Sequence, residues 1–415
     1  MSRNTLITFI ARLLSFVFPT TRPPERVSFD AILILKPCCL GDVLLATPVI
    51  AAVRRAYPNA QIDFAVGSWS HAAVANHPQL RRIVDTGQVG QGRYSWRDVW
   101  TLARRLRANR YDLCLTLDRS PRVGLVAWLA RIPMRAGLDS GGRGFAHNVR
   151  VPVPPIRYEP ELYLDVPRAV IPQTAKSKFE FTPSQFFPTD GDQSVVSKIL
   201  SEWQVTGDKW HDSSLVTRHS SLVTFVAIHP GGGNNPGTLL PSKRWPAERF
   251  AQIADRLIDE YHATVILVGG ESDAEITQAV RGAMESSTSP PAPLLQGEGS
   301  ARLIDLSGQL TIGQLGALYR RCTLMIGNDS GVMHLANAVG TPTVALYGPS
   351  DPRVYGPYNA KSLALWHEVG CNPCFVNGRA RADCCPHHAI EAIAVEECWE
   401  AVQVVLRRQG IRGYG

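Results

Sequence analysis

No apolar run in the 415-residue chain is long enough to cross a bilayer as a helix. Residues 6–18 (LITFIARLLSFVF) come nearest. On a helix their Thr8, Arg12 and Ser15 form one narrow polar stripe in an otherwise apolar surface. Such a segment either lies in a membrane surface or packs on the protein body. A secretory leader fits poorly, because Pro19 to Arg26 has no clean small-residue cleavage site. Cysteine is sparse and odd in number, nine in all, which excludes a disulfide scaffold and favours a reducing cytoplasm. Charged residues make up 19% of the chain and apolar ones 45%, the balance of a folded globular protein and not of a disordered one. Zinc-finger spacing, Arg-Gly tracts and RNA-recognition signatures are missing, so no nucleic-acid partner is expected.

What is abundant is arginine, and only in one place. Residues 91–150 hold twelve arginines against four aspartates. That local excess either attracts an anionic partner, a phosphorylated lipid or a membrane surface, or is an ordinary solvated face. Length alone favours two domains over one core. Short apolar strands alternate with helices twice along the chain, the pattern of parallel sheets covered on both faces. The first series runs through strands 31–35, 61–66 and 112–117 and helices 43–56, 96–109 and 121–130. The second has strands 224–228, 264–268, 324–326 and 343–346, with helices 247–260, 273–284, 311–319 and 332–339. The fold class is therefore α/β, with two Rossmann-like domains, and such a pair is expected to face across a ligand-binding cleft. The expected divisions are an amphipathic extension (1–29), a first domain (30–170), a connecting region (171–222) with a helix near 195–203, a second domain (223–360) and a cysteine-rich tail with a helix (361–415).

Two strand–loop–helix turns carry the chemistry. The first is Lys36-Pro-Cys-Cys-Leu-Gly-Asp42. It lacks both the GxGxxG of a dinucleotide fold and the Lys-Ser/Thr ending of a P-loop, which disfavours a dehydrogenase or a nucleotide hydrolase. Asp42 is either a helix cap or a general base. Helix amides keep such a carboxylate ionised, ready to deprotonate a hydroxyl that attacks a sugar. Gly41 permits close backbone approach, and Lys36 is either a phosphate contact or a solvated cation. With Arg119 and Arg122 of the basic stretch, these form the expected acceptor-binding set.

The second turn is Asn328-Asp-Ser-Gly-Val-Met-His334. Ser330 and Gly331 at a helix start would cradle a diphosphate without a metal. Asp329 carries the wrong charge for phosphate and is expected to accept sugar hydroxyls. His334 is either a phosphate partner or a satisfied core residue. The loop from His229 through Gly231 and Gly232 leads to Lys243 and Arg244, cations placed to neutralise a departing diphosphate or to pair on the surface. Glu271, after Gly269-Gly270, is either a nucleoside contact or a helix-flanking acid.

Taken together, Ile32–Pro48 (ILILKPCCLGDVLLATP), His229-Pro-Gly, Ser242-Lys-Arg-Trp-Pro246, Val268-Gly-Gly270 and Gly327–Pro352 (GNDSGVMHLANAVGTPTVALYGPSDP) resemble the bacterial heptosyltransferases, glycosyltransferase family nine. The resemblance implies a GT-B architecture. It implies metal-independent, inverting transfer of heptose from ADP-heptose to the lipopolysaccharide inner core, in the cytoplasm at the inner membrane, with no cofactor. The first domain would then bind an anionic glycolipid acceptor and the second the nucleotide sugar. Asp42 matches the family's base and Lys243 its cationic donor-site residue. Asp329, Ser330 and Gly331 match the sugar and phosphate loop, and Glu271 an acid near the nucleoside. Three features depart from the family: the first thirty residues, the longer Gly233–Leu240 loop, and Cys38-Cys39 before Leu-Gly-Asp. They leave open another nucleotide sugar and another surface glycan. A non-enzymatic sugar-nucleotide-binding protein and a phosphorylase rank lower.

The tail holds Cys371-Asn-Pro-Cys374, Cys384-Cys385, His387 and His388. Structural zinc, a thiol cluster and redox chemistry are the three readings, with the thiol cluster preferred because the second pair lacks Cys-x₂-Cys spacing.

Overall fold

Ala31–Leu35 is apolar at every position, and Ile32 to Leu35 are wholly buried. A strand without polar alternation is one covered on both faces. This strand is central in a parallel sheet. The computed structural model describes residues 3–21, 28–171, 181–204, 224–235, 238–284, 302–370, 372–376, 379–380 and 388–413. The chain divides into two units: Met1–Phe186 with Asn234–Leu239 and Arg353–Tyr355, and Phe187–Gly233 with Leu240–Pro352 and Gly356–Gly415.

The first unit begins with helix α1 (Arg3–Val17). Its sheet contains β1 (Ala31–Leu35), β2 (Gln61–Val66), β3 (Arg82–Asp85), β4 (Leu113–Thr116), β5 (Met134–Asp139) and β6 (Val149–Pro152). They run parallel in the order β3-β2-β1-β4-β5-β6, the doubly wound order of nucleotide-binding folds. Helices α2 (Leu40–Ala56), α3 (Trp96–Arg107), α4 (Pro121–Leu129) and α5 (Glu159–Arg168) flank it. Ser95 starts α3 through a capping box: its hydroxyl accepts from the Asp98 amide, and the Asp98 carboxylate accepts from the Ser95 amide. Val99, Leu102, Ala103 and Leu106 then bury one face of the helix against Leu33, Leu35 and Cys114. The alternate β1 residues, Ile32 and Ile34, point the opposite way. Helices α2 and α5 pack together.

The expected helix 43–56 starts three residues sooner, at Leu40. It also keeps Pro48 in its interior, where proline removes the bond to the carbonyl four residues back. That carbonyl, Leu44, instead accepts from the Thr47 hydroxyl at 2.7 Å. Strands β3, β5 and β6 and helix α5 have no counterpart in the sequence reading. Their strands carry arginine or glycine at intervals, which breaks the apolar run.

The second unit repeats the plan. Its sheet holds β7 (Phe225–His229), β8 (Thr264–Leu267), β9 (Leu303–Asp305), β10 (Leu324–Asn328), β11 (Thr343–Tyr347) and β12 (Leu363–Trp366), parallel in the order β9-β8-β7-β10-β11-β12. The helices are α6 (Asp190–Gln204), α7 (Ala247–Tyr261), α8 (Ala274–Ala283), α9 (Ile312–Arg321), α10 (Gly331–Ala338) and α11 (Val395–Arg407). Helix α6 is longer than the expected 195–203. Thr189 and Asp192 exchange hydrogen bonds at its start, and it packs on α9. The expected single tail helix is instead a short turn, His388–Glu391, followed by α11. Ile390, Ile393, Cys398, Val402, Val405 and Leu406 join the core of the second unit beside Leu257, Val344 and Leu346. Two parallel six-stranded sheets with flanking helices make this an α/β protein of two Rossmann-like units.

Candidate functional site

In the first unit, β1 carries Lys36 just past its end and α2 carries Asp42 in its first turn. The residue capping α2 is Cys39, whose side chain makes no capping hydrogen bond. Asp42 is therefore not the cap that its position permits. Its carboxylate instead lies 3.1 Å from the Lys36 ammonium. The Lys36 side chain is 5% exposed and that of Asp42 36%. A buried cation thus backs an accessible carboxylate. Asp118 stands 3.7 Å from the same ammonium, and the Tyr163 ring centroid is 5.7 Å away. Burial alone would make Lys36 shed its proton. The charges of Asp42, Asp118 and Glu159 outweigh burial and hold it protonated.

Lys36 accordingly faces Asp42 and not solvent. Arg119 is likewise engaged, with both terminal nitrogens on buried Glu159 at 2.6 and 2.7 Å. Arg122 is half-buried, its guanidinium 5.6 Å from the Tyr94 ring and 5.0 Å from that of Trp96. Gly41 sits in the first turn of α2, where amides lack intrahelical acceptors. Cys38 and Cys39, expected as reduced thiols, are joined to each other by a disulfide. Buried Cys114, Cys322 and Cys398 are thiols whose pKa burial pushes up to about 12.

In the second unit, β7 ends at His229 and β10 at Asn328. The fully buried Asn328 side chain donates to the Pro230 and Gly231 carbonyls at 2.8 and 3.0 Å and accepts from the Trp245 amide at 3.1 Å. It locks the glycine loop to the strand carrying the second motif. A Cβ on Gly231 would fall 2.3 Å from the Asp273 carboxyl, and one on Gly232 3.1 Å from the Ser330 Cβ. Gly232 also has φ +114°, which only glycine adopts easily. The loop is thus squeezed between Asp273 and Ser330. Ser330 caps α10 by accepting from the Met333 amide, and Gly331 opens that helix.

Two ion clusters brace this loop. Asp273 accepts from the Gly270 amide at 3.0 Å and lies 3.5 Å from both His229 and Arg244. Burial opposes its charge, but the hydrogen bond and charge of His229 and the amides of Gly270 and Gly232 bring its pKa down to about 2. Asp329 is 2.5 Å from the Lys243 ammonium and also accepts from the Ser350 hydroxyl. Its other oxygen is 3.9 Å from His334. Burial again opposes the charge, and Lys243, His334 and Ser350 more than offset it, leaving the carboxyl below the usual range. The Lys243 ammonium also lies 4.6 Å from the Phe375 ring centroid. Asp329, expected to accept sugar hydroxyls, has one oxygen on Lys243 and Ser350, and among the described residues its other oxygen has only the 3.9 Å approach of His334. Glu271 is exposed at the head of a short turn.

Residues 204–383 match the family described as Glycosyltransferase family 9 (heptosyltransferase). That match, with the relatives that follow, marks the chain as a glycosyltransferase. This glycosyltransferase is similar to lipooligosaccharide heptosyltransferase 2 of Haemophilus influenzae, 26% identical over 80% of this chain and 88% of that one. Among solved structures, it resembles the glycosyl transferase family 9 protein of Veillonella parvula, with a TM-score of 0.71 and 23% identity over 92% of this chain and 99% of that chain. It also resembles the Escherichia coli ADP-heptose lps heptosyltransferase II, with a TM-score of 0.66 and 23% identity over the same shares.

Several residues of the glycosyltransferase's two clusters escape the sequence reading: Asp118, Glu159 and Tyr163 beside Lys36, and Asp273, Asn328 and Ser350 around the glycine loop. Asn328 and Ser350 lie within the quoted motif Gly327–Pro352, so proximity was an available signal. Glu159 and Tyr163 belong to a helix not anticipated. Among the described residues no three of His, Cys, Asp and Glu stand together as metal ligands. Of the tail cluster, Cys374 is buried; Cys371, Cys384, Cys385 and His387 lie outside the described residues. No helix among the described residues is long and apolar enough to cross a membrane.

Proposed function

We propose that this glycosyltransferase moves heptose from ADP-heptose to an inner-core acceptor of lipopolysaccharide, inverting the anomeric carbon and needing no catalytic metal. The names of its relatives supply the substrate class. The observation that carries the mechanism is Asp42: an accessible carboxylate braced by a buried ammonium at 3.1 Å.

Asp42 takes the proton of the acceptor hydroxyl. The freed oxygen lone pair forms the bond to C1 of the sugar. The C1–oxygen bond to the diphosphate breaks, and ADP departs with that electron pair. Amides at the start of α10, with Ser330 and Gly331, and the Lys243 ammonium stabilise the growing negative charge. Gly231 and Gly232 let backbone approach the diphosphate, and Glu271 and His334 are the remaining donor contacts. Lys36 acts through Asp42, Arg119 shapes the acceptor side through Glu159, and Gly41 and Arg122 are the residues that meet an anionic glycolipid. The enzyme would work in the cytoplasm, at the inner membrane.

The test is ADP release by the purified protein with a panel of nucleotide sugars, delipidated and lipid-bearing core acceptors, and a metal chelator. Release that needs both ADP-heptose and acceptor, and survives chelation, supports the reading. Turnover with a different nucleotide sugar and none with ADP-heptose would replace the donor assignment.

A further inference from the structure

Helix α1 is held to the first unit by a narrow strip. Ala11 is buried, and with Leu14 and Phe18 it packs on Phe145, Ala146 and Leu125. The Phe18 ring centroid is 5.3 Å from that of Trp128 and 5.2 Å from that of Phe145. The Arg150 guanidinium fixes the end of the helix by donating to the Phe18 carbonyl at 2.7 Å. This docking leaves the opposite side of the helix bare. Phe9 is 56% exposed, Ile10 46%, Leu13 53%, Phe16 86% and Val17 73%. At helical spacing these five share one broad face.

The bare face has neighbours of a particular kind. Helix α4 contributes Trp128, 42% exposed, directly beside Phe18. Helix α3, which packs on α4, adds Trp96 and Trp100 at 50% and 54% exposure. Arg97, Arg104 and Arg107 stand exposed among these tryptophans. Arg107, Arg110 and Arg131 rim a hollow of about 400 Å³ where α3 and α4 end. Helix α1 packs on α4, and α4 on α3. Three successively packed helices thus present large exposed apolar side chains, tryptophans and guanidinium groups. The last two of these lie in the 91–150 stretch, where arginine outnumbers acid twelve to four.

We infer that α1 and the outer sides of α3 and α4 form a docking surface for an anionic lipid bilayer. Contiguous exposed apolar side chains on this scale mark an interaction site. Charge decides the occupant. A second copy of the chain would bring the same arginine excess to the contact, and like charges would repel. An anionic lipid surface offers the complementary sign, a hydrocarbon layer for Phe9, Leu13 and Phe16, and the headgroup depth that tryptophan favours. The helix would lie in the plane of the membrane without crossing it. The inference does not rest on the identity of the donor sugar.

The test is flotation of the purified full chain with phosphatidylcholine vesicles, with and without phosphatidylglycerol. Binding is expected only where the anionic lipid is present, and it should weaken as salt is raised. Leu13→Glu with Phe16→Glu should lower vesicle binding at least tenfold, since each buries its apolar side chain in lipid. Arg97→Glu with Arg104→Glu should lower it by roughly fivefold or more for each cation lost. All four positions are exposed, so melting temperature and ADP release with a delipidated acceptor should stay unchanged. Wild-type binding no stronger to anionic than to neutral vesicles would overturn the proposal. So would self-association in light scattering that Phe16→Glu abolishes while no vesicle binding is seen, because the face would then belong to a second copy.

Discussion

The Lys36 ammonium lies 3.1 Å from the Asp42 carboxylate, and the loop between β1 and α2 joins them. One partner is buried and the other open to solvent. That asymmetry distinguishes the pair from an ordinary surface ion pair, because the lysine is fixed in place and only the carboxylate can meet a ligand.

Asp42→Asn keeps the shape and removes the base. Turnover should fall by about 10² to 10⁴, the usual contribution of a positioned general base. Donor affinity, measured by calorimetry with ADP, should hardly change. Loss of ADP binding together with turnover would mean that Asp42 serves the nucleotide and not the acceptor.

Lys36→Met tests a different role. The Asp42 carboxylate would remain but lose its anchor, and a displacement of about 1 Å can cost on the order of 10²-fold. The expected signature is a lower kcat, an unchanged KM for the donor, and partial rescue by added alkylamine. A variant whose donor KM rises at constant kcat would return Lys36 to the role of a ligand contact.

How much of this was legible beforehand depends on the kind of residue. Asp42 and Ser330 stand out because each follows a short apolar run, Ala31–Leu35 and residues 324–326, and such runs are visible in the chain itself. Lys36 was visible too, but its direction was not. Whether a lysine faces a phosphate or a carboxylate depends on Asp118 and Glu159, which lie far along the chain. Strand β5 reads MRAGLD and β6 VRVP. Their arginines disguise strands that Arg135 and Arg150 in fact support, by reaching backbone carbonyls. Asp329 shows the same limit, since only the folded chain brings Lys243 and Ser350 to its oxygens.

The Lys243–Asp329 pair is buried on both sides, with side chains 10% and 6% exposed. Removing one partner of such a pair typically costs about 3 to 5 kcal/mol, because the other charge is left without compensation. Asp329→Ala should therefore lower the melting temperature markedly. The double variant with Lys243→Met should recover much of that loss while still releasing the nucleotide more readily. If Asp329→Ala proved as stable as the parent, the two charges would not be coupled as the geometry states.

Acid sensitivity should begin well above the carboxylate range, and the cause is two buried histidines. Burial brings the pKa of His77 down to about 4. Burial, aided by the charges of Arg135 and Arg150, brings that of His147 down to about 3. A Cβ added at Gly124 or Gly137 would meet the His147 ring at 3.1 or 2.4 Å, so the space beside it is already taken. In the unfolded chain a histidine titrates near 6.5, as a rough reference. Below that value the unfolded state binds protons that the folded state refuses, so stability must fall as pH drops. For His147 the loss runs from about 6.5 down to its folded value, on the order of 4 to 5 kcal/mol if completed. Asp273, with its folded pKa of about 2, adds to the loss only below the ordinary carboxylate range. Melting temperature should therefore decline between about pH 6.5 and pH 4, and His147→Gln should flatten that decline. A melting temperature that stayed level to about pH 4 would mean that His147 accepts a proton in the folded protein, which its position between Gly124 and Gly137 opposes.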